Sequence, residues 1–119
     1  MARIERFEDL LVWQDARILA GKIYNAFAAS RDFGFKDQIQ RAAISIMNNI
    51  AEGYERGSDA ELIRFLFIAK ASSGEVRSMI YLANDLNYMA KEIADELMSD
   101  SIKLSRGIAN FIKYLKSTK

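Results

Sequence analysis

The side chains that could do chemistry in this sequence are carboxylates, because its 119 residues include neither histidine nor cysteine. Their absence excludes imidazole bases, thiolate nucleophiles and the Glu-x-x-His ligands of helical di-iron centres. An all-carboxylate site for Mg²⁺ or Mn²⁺ stays conceivable, since these hard cations accept oxygen ligands. Its ligands would be Glu52, Glu61, Glu75 and Asp85. Their spacing has no diagnostic repeat.

Three glycines near these carboxylates, Gly53, Gly57 and Gly74, do not form a phosphate-binding loop. Neither G-x-G-x-x-G nor G-x-x-x-x-G-K occurs, so nucleotide binding has no support. We therefore predict no catalytic, cofactor-binding or metal-binding residues and no cofactor. An enzyme with a carboxylate-bound metal remains as the alternative.

A group of polar side chains recurs at steps of three and four and so shares one helical face. Glu52 with Arg56 or Arg41 could in principle be an acid–base pair. A ladder of such groups can also satisfy its own hydrogen bonds and fix helix register. We favour this structural role for the polar stripe, whose members are Gln38, Arg41, Ser45, Asn49 and Glu52.

The stretch around residues 38–66 predicts the elements that carry this stripe. An apolar arc on the opposite side of the same helix comprises Ile39, Ala43, Ile46 and Ile50. Gly57 suits a left-handed residue just past a helix end, and Ser58-x-x-Glu61 has the spacing of a capping box. Two antiparallel helices joined by a tight turn should result.

The first helix should run over about residues 9–29, with Asp9 as its N-cap. Its buried stripe would be Val12, Ala16, Leu19, Ile23 and Phe27. Residues 30–35 then combine turn formers with two aromatics, which predicts an ordered loop. We expect Phe33 and Phe35 to pack on the bundle end, because base-stacking platforms usually add a dense basic groove.

The third helix should span residues 58–87 and is apolar around much of its surface. Its main stripe is Leu62, Leu66, Ala69, Ser73, Val76, Ile80 and Ala83. A second apolar face exceeds what a four-helix bundle can cover, and small residues at 69–74 permit close approach of another backbone. We predict an oligomer interface there, at Ile68, Met79, Leu82 and Leu86, with Ile63, Phe67 and Tyr81 beyond it.

A turn near residues 87–90 should precede the fourth helix, whose expected buried face is Ile93, Leu97, Leu104, Ile108, Phe111 and Leu115. After Asp100 the chain has basic but no acidic side chains. Basic residues near a helix C-terminus complement its macrodipole, and in an oligomer they could also form a ring of positive charge. The predicted phosphate contacts are Lys103, Arg106, Lys113 and Lys116.

Residues 1–119 should form a single all-α domain, an antiparallel up-down-up-down four-helix bundle. The 17 basic and 16 acidic side chains nearly balance, which argues against global attraction to nucleic acid or membranes. The N-terminus lacks an apolar secretory core, and the longest uncharged run is residues 42–51. We expect a cytoplasmic protein with no membrane contact.

The motif Ser45-Ile46-x-x-Asn49-Ile50-Ala51-Glu52-Gly53 is the most specific of several recognisable segments. The others are Phe7-Glu8-Asp9-Leu10, Val12-Trp13, Gln38, Arg41, Phe65-Leu66, Ala69, Ser72 and Glu75. With these segments, residues 7–90 resemble the four helix bundle proteins named after reading frames inside 23S rRNA intervening sequences. That resemblance implies an antiparallel bundle, commonly a homopentamer, for which no biochemical activity is established.

A more distant resemblance is to the accessory proteins of diversity-generating retroelements, pentameric bundles that bind a reverse transcriptase and nucleic acid. Either kinship implies assembly rather than catalysis. We therefore predict a non-enzymatic homo-oligomer, a pentamer by the resemblance, that acts as a scaffold and engages RNA or a nucleic-acid-binding protein. A scaffold with protein partners only is a further alternative.

Overall fold

The computed structural model describes residues 4–118, which form four helices and contain no strand. A short 3-10 turn at Phe7–Asp9 precedes α1 (Leu11–Ala26), α2 (Phe33–Glu55), α3 (Asp59–Asp85) and α4 (Lys91–Ser117). Each helix packs against its neighbour in the chain, and α1 also packs against α4. The bundle measures 47 × 21 × 20 Å. The predicted all-α four-helix bundle is confirmed.

One continuous core runs along the bundle axis and contains the apolar arcs that the sequence predicts. On α2, Ile39, Ala43, Ile46 and Ile50 are fully buried. The predicted main stripes of α1 and α3 are buried along their whole length. Within the described range, no helix is both long and apolar enough to cross a bilayer.

The turn between α2 and α3 has the predicted geometry. Gly57 adopts a positive φ of 85°, which glycine accepts without steric cost. The Ser58 hydroxyl oxygen accepts a hydrogen bond from the Glu61 backbone N–H at 3.2 Å. The Glu61 carboxylate turns to Arg64 Nε at 2.9 Å. The Ser58 side-chain cap is thus present, and Glu61 is engaged with Arg64.

Both ends of the first helix differ from the prediction. Leu10, not Asp9, occupies the N-cap position, because residues 7–9 form the separate 3-10 turn. The edge of the Phe7 ring contacts Trp13, with centroids 5.2 Å apart, so this turn folds back onto α1. The helix ends at Ala26, three residues before the predicted end.

The second half of the predicted loop at residues 30–35 is the beginning of α2. Asp32 is its N-cap, and Asp32 Oδ1 accepts a hydrogen bond from the Phe35 backbone N–H at 3.1 Å. Phe35 packs between Phe27 and Tyr88, with centroids 5.7 and 5.4 Å away, as expected. Phe33 is 70% exposed, and its predicted packing was wrong. Two helical residues turn the chain by about 200°, so Phe33 and Phe35 face opposite ways.

The predicted turn between α3 and α4 is confirmed, although it contains neither glycine nor proline. Asn87 takes the left-handed conformation at φ 58°, which asparagine tolerates better than most residues. On α4, Leu97, Leu104, Ile108 and Leu115 are buried as expected. Ile93 is 46% exposed, because the first turn of α4 instead directs Ala94 into the core. Phe111 is only half-buried, and Ile112 takes its core position.

Candidate functional site

The two helices that carry the polar stripe approach closely at Gly53. A Cβ atom at this position would lie 2.6 Å from the Phe65 Cβ and 3.3 Å from Leu62 Cδ1. Real Cβ atoms essentially never come that close to a neighbour, so only glycine fits without movement of α2 or α3. Gly53 therefore allows the polar stripe of α2 to reach the side chains of α3.

Three members of the predicted polar stripe belong to a hydrogen-bonded seam between α2 and α3. Gln38 Nε2 donates to Glu75 Oε2 across the seam. The hydroxyl oxygens of Ser45 and Ser72 lie 2.8 Å apart. Asn49 Nδ2 donates to the Ser45 carbonyl at 2.8 Å and to its hydroxyl at 3.0 Å. The seam thus pairs α2 groups with two α3 residues that the predicted stripe omitted.

Arg41 and Glu52 do not join this seam. Arg41 Nε pairs within α2 with Asp37 Oδ2 at 2.8 Å, and Glu52 Oε1 lies 3.7 Å from Arg56. Both pairs are exposed. Ser72 and Glu75 carried a detectable signal, since they stand three residues apart on one face of α3 and occur in the recognised segments.

Three of the four carboxylates of the alternative metal site, Glu52, Glu61 and Glu75, have basic or amide partners in the structure. Arg56 lies between Glu52 and Glu61, at 3.7 and 3.6 Å, while Glu75 accepts from Gln38. The hydrogen bond from Arg64 lowers the pKa of Glu61, and the nearby Arg64 and Arg56 charges add to that effect. Among residues 4–118 no three acidic side chains are grouped as metal ligands would be.

An apolar row runs along α3 beside the polar seam. It consists of Ile68, Leu82 and Leu86, which are 41%, 47% and 46% exposed; we call these three residues the assembly row. At 100° per residue they share the α2 side of α3 with Ser72 and Glu75. Met79, predicted to belong with them, is half-buried and packs against the core.

A groove between α1 and α4 lies on the opposite side of the bundle, with a volume of about 740 Å³. The pairwise packing places the four helices at the corners of a square, so the α1–α4 edge faces away from the α2–α3 edge. Leu11, which is 65% exposed, lines this groove together with Met98 and Ile102.

The four predicted phosphate contacts lie on different parts of α4. Lys103 lines the α1–α4 groove near Asp15 and Asp100. Lys116 Nζ lies 5.0 Å from the centroid of the Phe67 ring on α3, on the other side of the helix. Lys113 is exposed, and Arg106 also borders the groove. Consecutive spacings of three, seven and three residues distribute these cations over an arc of about 140°.

An ion-pair cluster between α1 and α4 was not predicted. Lys22 Nζ lies 2.7 Å from Asp100 Oδ2 and 2.8 Å from Glu96 Oε2. The hydrogen bonds to Asp100 and then Glu96 raise the pKa of Lys22. These residues are separated by more than 70 positions, so no local pattern could reveal the contact.

Comparison with known proteins identifies the family. A solved structure from Bacteroides thetaiotaomicron VPI-5482, a protein with unknown function from the S23 ribosomal protein family, is similar with a TM-score of 0.81 and 25% identity. The alignment covers 87% of this chain and 99% of that chain. No curated protein matches the sequence. The family model for the 23S rRNA-intervening sequence protein matches residues 8–110, and the chain belongs to that family.

Proposed function

We propose that this chain is a non-enzymatic, cytoplasmic scaffold protein that forms a homo-oligomer and engages RNA or a ribonucleoprotein partner. The observation that carries the proposal is the assembly row, three large apolar side chains left 41–47% exposed on one helix face. From Ile68 to Leu86 the row spans about 27 Å of helix at 1.5 Å per residue. Leu82 and Leu86 lie one turn apart and Ile68 about 21 Å from Leu82 along the helix, and exposed large apolar side chains on one face indicate a candidate protein–protein interface.

The polar seam beside the row favours burial in an interface. Ser45, Ser72, Gln38 and Glu75 already have hydrogen-bond partners within the subunit. Burying a polar group costs much less free energy when its hydrogen bond is retained. A second subunit can therefore cover the row and the Ser45–Ser72 pair with little penalty.

A head-to-tail contact fits the two surfaces better than a symmetric one. The assembly row and the α1–α4 groove lie on opposite sides of the bundle, and a contact between unlike surfaces forms a ring when the rotation between neighbouring subunits closes and a filament when it does not. We expect the row of one subunit to lie in the groove of the next, near Leu11. The number of five subunits follows from the family resemblance.

Two glutamate substitutions test this contact. Leu82→Glu disables the row and Leu11→Glu disables the groove, and each variant alone should be monomeric by sedimentation velocity. Mixing them should restore one heterodimer, because one intact row and one intact groove remain. The control Ile93→Glu changes an apolar residue of matched exposure, 46% against 47% for Leu82, and should leave the oligomer intact. Oligomers that persist in both variants, or a mixture that stays monomeric, contradict the head-to-tail contact.

The nucleic-acid partner is supported by the basic side chains of α4, since no acidic side chain occurs between Asp100 and the end of the chain. Assembly repeats this patch once per subunit, which strengthens phosphate binding without a basic net charge.

Affinity capture from native lysate, with and without nuclease, tests whether the protein binds RNA or a ribonucleoprotein partner. Co-purifying RNA and partners that nuclease removes are expected. Stoichiometric metal in the mildly purified protein would instead favour the carboxylate-metal enzyme.

A further inference from the structure

We propose that the α3–α4 face is a binding platform for single-stranded nucleic acid, on which two aromatic rings stack bases and flanking cations hold phosphates. This inference rests on the nucleic-acid part of the proposed function and names the surface and the ligand class. The rings are Phe67 and Tyr81. The cations are Lys70, Arg77, Lys113 and Lys116.

The two rings lie on the same side of α3, away from the assembly row. The contact of Lys116 with Phe67 fixes that side as the one facing α4. Fourteen residues separate Phe67 from Tyr81, which returns the helix to within about 40° of the same direction. The rings are about 21 Å apart along the helix axis, enough for several nucleotides between them.

Between the two rings the charges on this face are basic. Lys70 and Arg77 fall between the rings in sequence and lie about 60° to 80° from Phe67 in the direction of α4. The only acid on α3 between Leu62 and Asn84 is Glu75, which accepts from Gln38 on the α2 side. On α4 no acid occurs between Ser101 and Thr118. Phosphates between the rings would therefore meet cations, whereas the Asp85 carboxylate lies one turn beyond Tyr81 on the same side of α3.

Both rings are accessible to a base. Phe67 is 48% exposed and Tyr81 is 61% exposed. The Lys116 ammonium at 5.0 Å covers part of the Phe67 ring. An exposed cation–π contact is weaker than base stacking on an aromatic ring. A base can thus displace the ammonium, which then becomes available for the adjacent phosphate.

A single strand fits this surface better than a duplex does. Stacking on protein rings requires base faces that are free, whereas the bases of a duplex already stack on one another. RNA and DNA single strands share this chemistry. The face has no base-reading motif, so little dependence on sequence is expected.

The test is fluorescence anisotropy with a labelled, mixed-sequence RNA of about 12 nucleotides, a length within the usual range of single-strand sites. The same sequence as DNA and as an RNA duplex provides the comparison. The double variant Phe67→Leu with Tyr81→Leu keeps apolar side chains and net charge. It should bind the single strand at least about tenfold more weakly, with little change for the duplex.

A second variant tests the cations separately. Lys70→Gln with Arg77→Gln should lower the log–log salt slope by about 0.7 for each lost phosphate contact. Arg17→Gln with Arg41→Gln removes the same charge from α1 and α2, on the other side of the bundle, and should preserve the slope. The platform is wrong if the leucine variant binds the single strand normally or if the duplex binds as well as the single strand. It is also wrong if the control lowers the salt slope as much as Lys70→Gln with Arg77→Gln does.

Sedimentation of the same samples separates this inference from the assembly proposal. All these variants leave the assembly row and Leu11 unchanged, so they should sediment like the original protein. An intact oligomer that binds no single strand overturns the platform alone. A monomer that binds with the predicted ring and charge dependence supports the platform and overturns the assembly proposal.

Discussion

Gly53 illustrates at the residue scale how one position sets the distance between two helices. Replacing it with alanine brings a Cβ within 2.6 Å of the Phe65 Cβ, whose position the α3 backbone fixes. We expect Gly53→Ala to lower the free energy of unfolding by about 1–3 kcal/mol, the usual cost of overpacking. Urea denaturation followed by circular dichroism, at one protein concentration, measures it.

Gly21→Ala is the matched control for this prediction. A Cβ at Gly21 meets nothing within 4 Å, so the better helix propensity of alanine should raise stability by about 0.5–1 kcal/mol. Equal changes in the two variants would show that the close approach at Gly53 has no energetic consequence.

The hydrogen bond between Asp32 and Tyr88 should make stability depend on pH. The Tyr88 hydroxyl donates to Asp32 Oδ2 at 2.5 Å, and this bond, followed by that from the Phe35 N–H, lowers the pKa of Asp32 below its ordinary 3.8. A lowered carboxyl pKa gives stability that is fully present above the ordinary pKa and lost as pH falls through the lowered one. The same bond raises the pKa of the Tyr88 hydroxyl above 10.0. The stability that Tyr88 contributes is therefore lost as pH rises through this raised pKa.

Tyr88→Phe should therefore reduce the loss of stability between neutral pH and pH below 3.8. Denaturation midpoints at the two pH values, with Tyr24→Phe as an exposed control, measure the difference. An unchanged acid dependence in Tyr88→Phe would mean that the hydrogen bond does not persist in solution.

The sequence predicted the placement of residues only where helical spacing within one segment puts them on a common face. Helical periodicity was sufficient to identify Ile39 and Ile50 as core and to align Gln38, Ser45 and Asn49. It could not show that Ser72 and Glu75 pair with these α2 side chains, or reveal the Lys22 ion pairs, because both depend on how distant helices are placed. Phe33 was misassigned because its orientation depends on where α2 begins.

At the element scale, the cap of α3 should contribute measurably to stability. Ser58→Ala removes the acceptor for the Glu61 N–H and should lower the free energy of unfolding by about 1 kcal/mol. Ser99→Ala, at an exposed position within α4, is the control and should change stability little. Thermal unfolding of both variants at one protein concentration compares them, and equal transitions would contradict the cap.

Element boundaries could be predicted where turn chemistry is strong. Gly57 and Ser58 located the α2–α3 turn to within a residue, since each satisfies a specific backbone need. The first helix was placed too long at both ends, because Asp9 resembles an N-cap although the Phe7–Trp13 contact folds residues 7–9 into a separate turn. Ile93 was assigned to the core by extending a stripe through the first turn of α4.

For the whole molecule, the fold class could be predicted from four amphipathic segments and short connections. Assembly could be predicted only from the apolar surface that exceeds what a four-helix bundle can cover. The structure divides that surface between the assembly row on the α2 side of α3 and the Phe67–Tyr81 face on the α4 side. Helix periodicity separates these faces by about 100°. Subunit number depends on the angle between neighbouring subunits, which no single-chain pattern encodes.

The measurement that tests the assembly most directly is the molar mass in solution, determined by light scattering during size-exclusion chromatography at micromolar concentration. We expect a species with five times the subunit mass of 13.5 kDa for the original protein and for Ile93→Glu, and a single subunit for Leu82→Glu. A stable monomer of the original protein, or a Leu82→Glu variant with the full assembly mass, would contradict it.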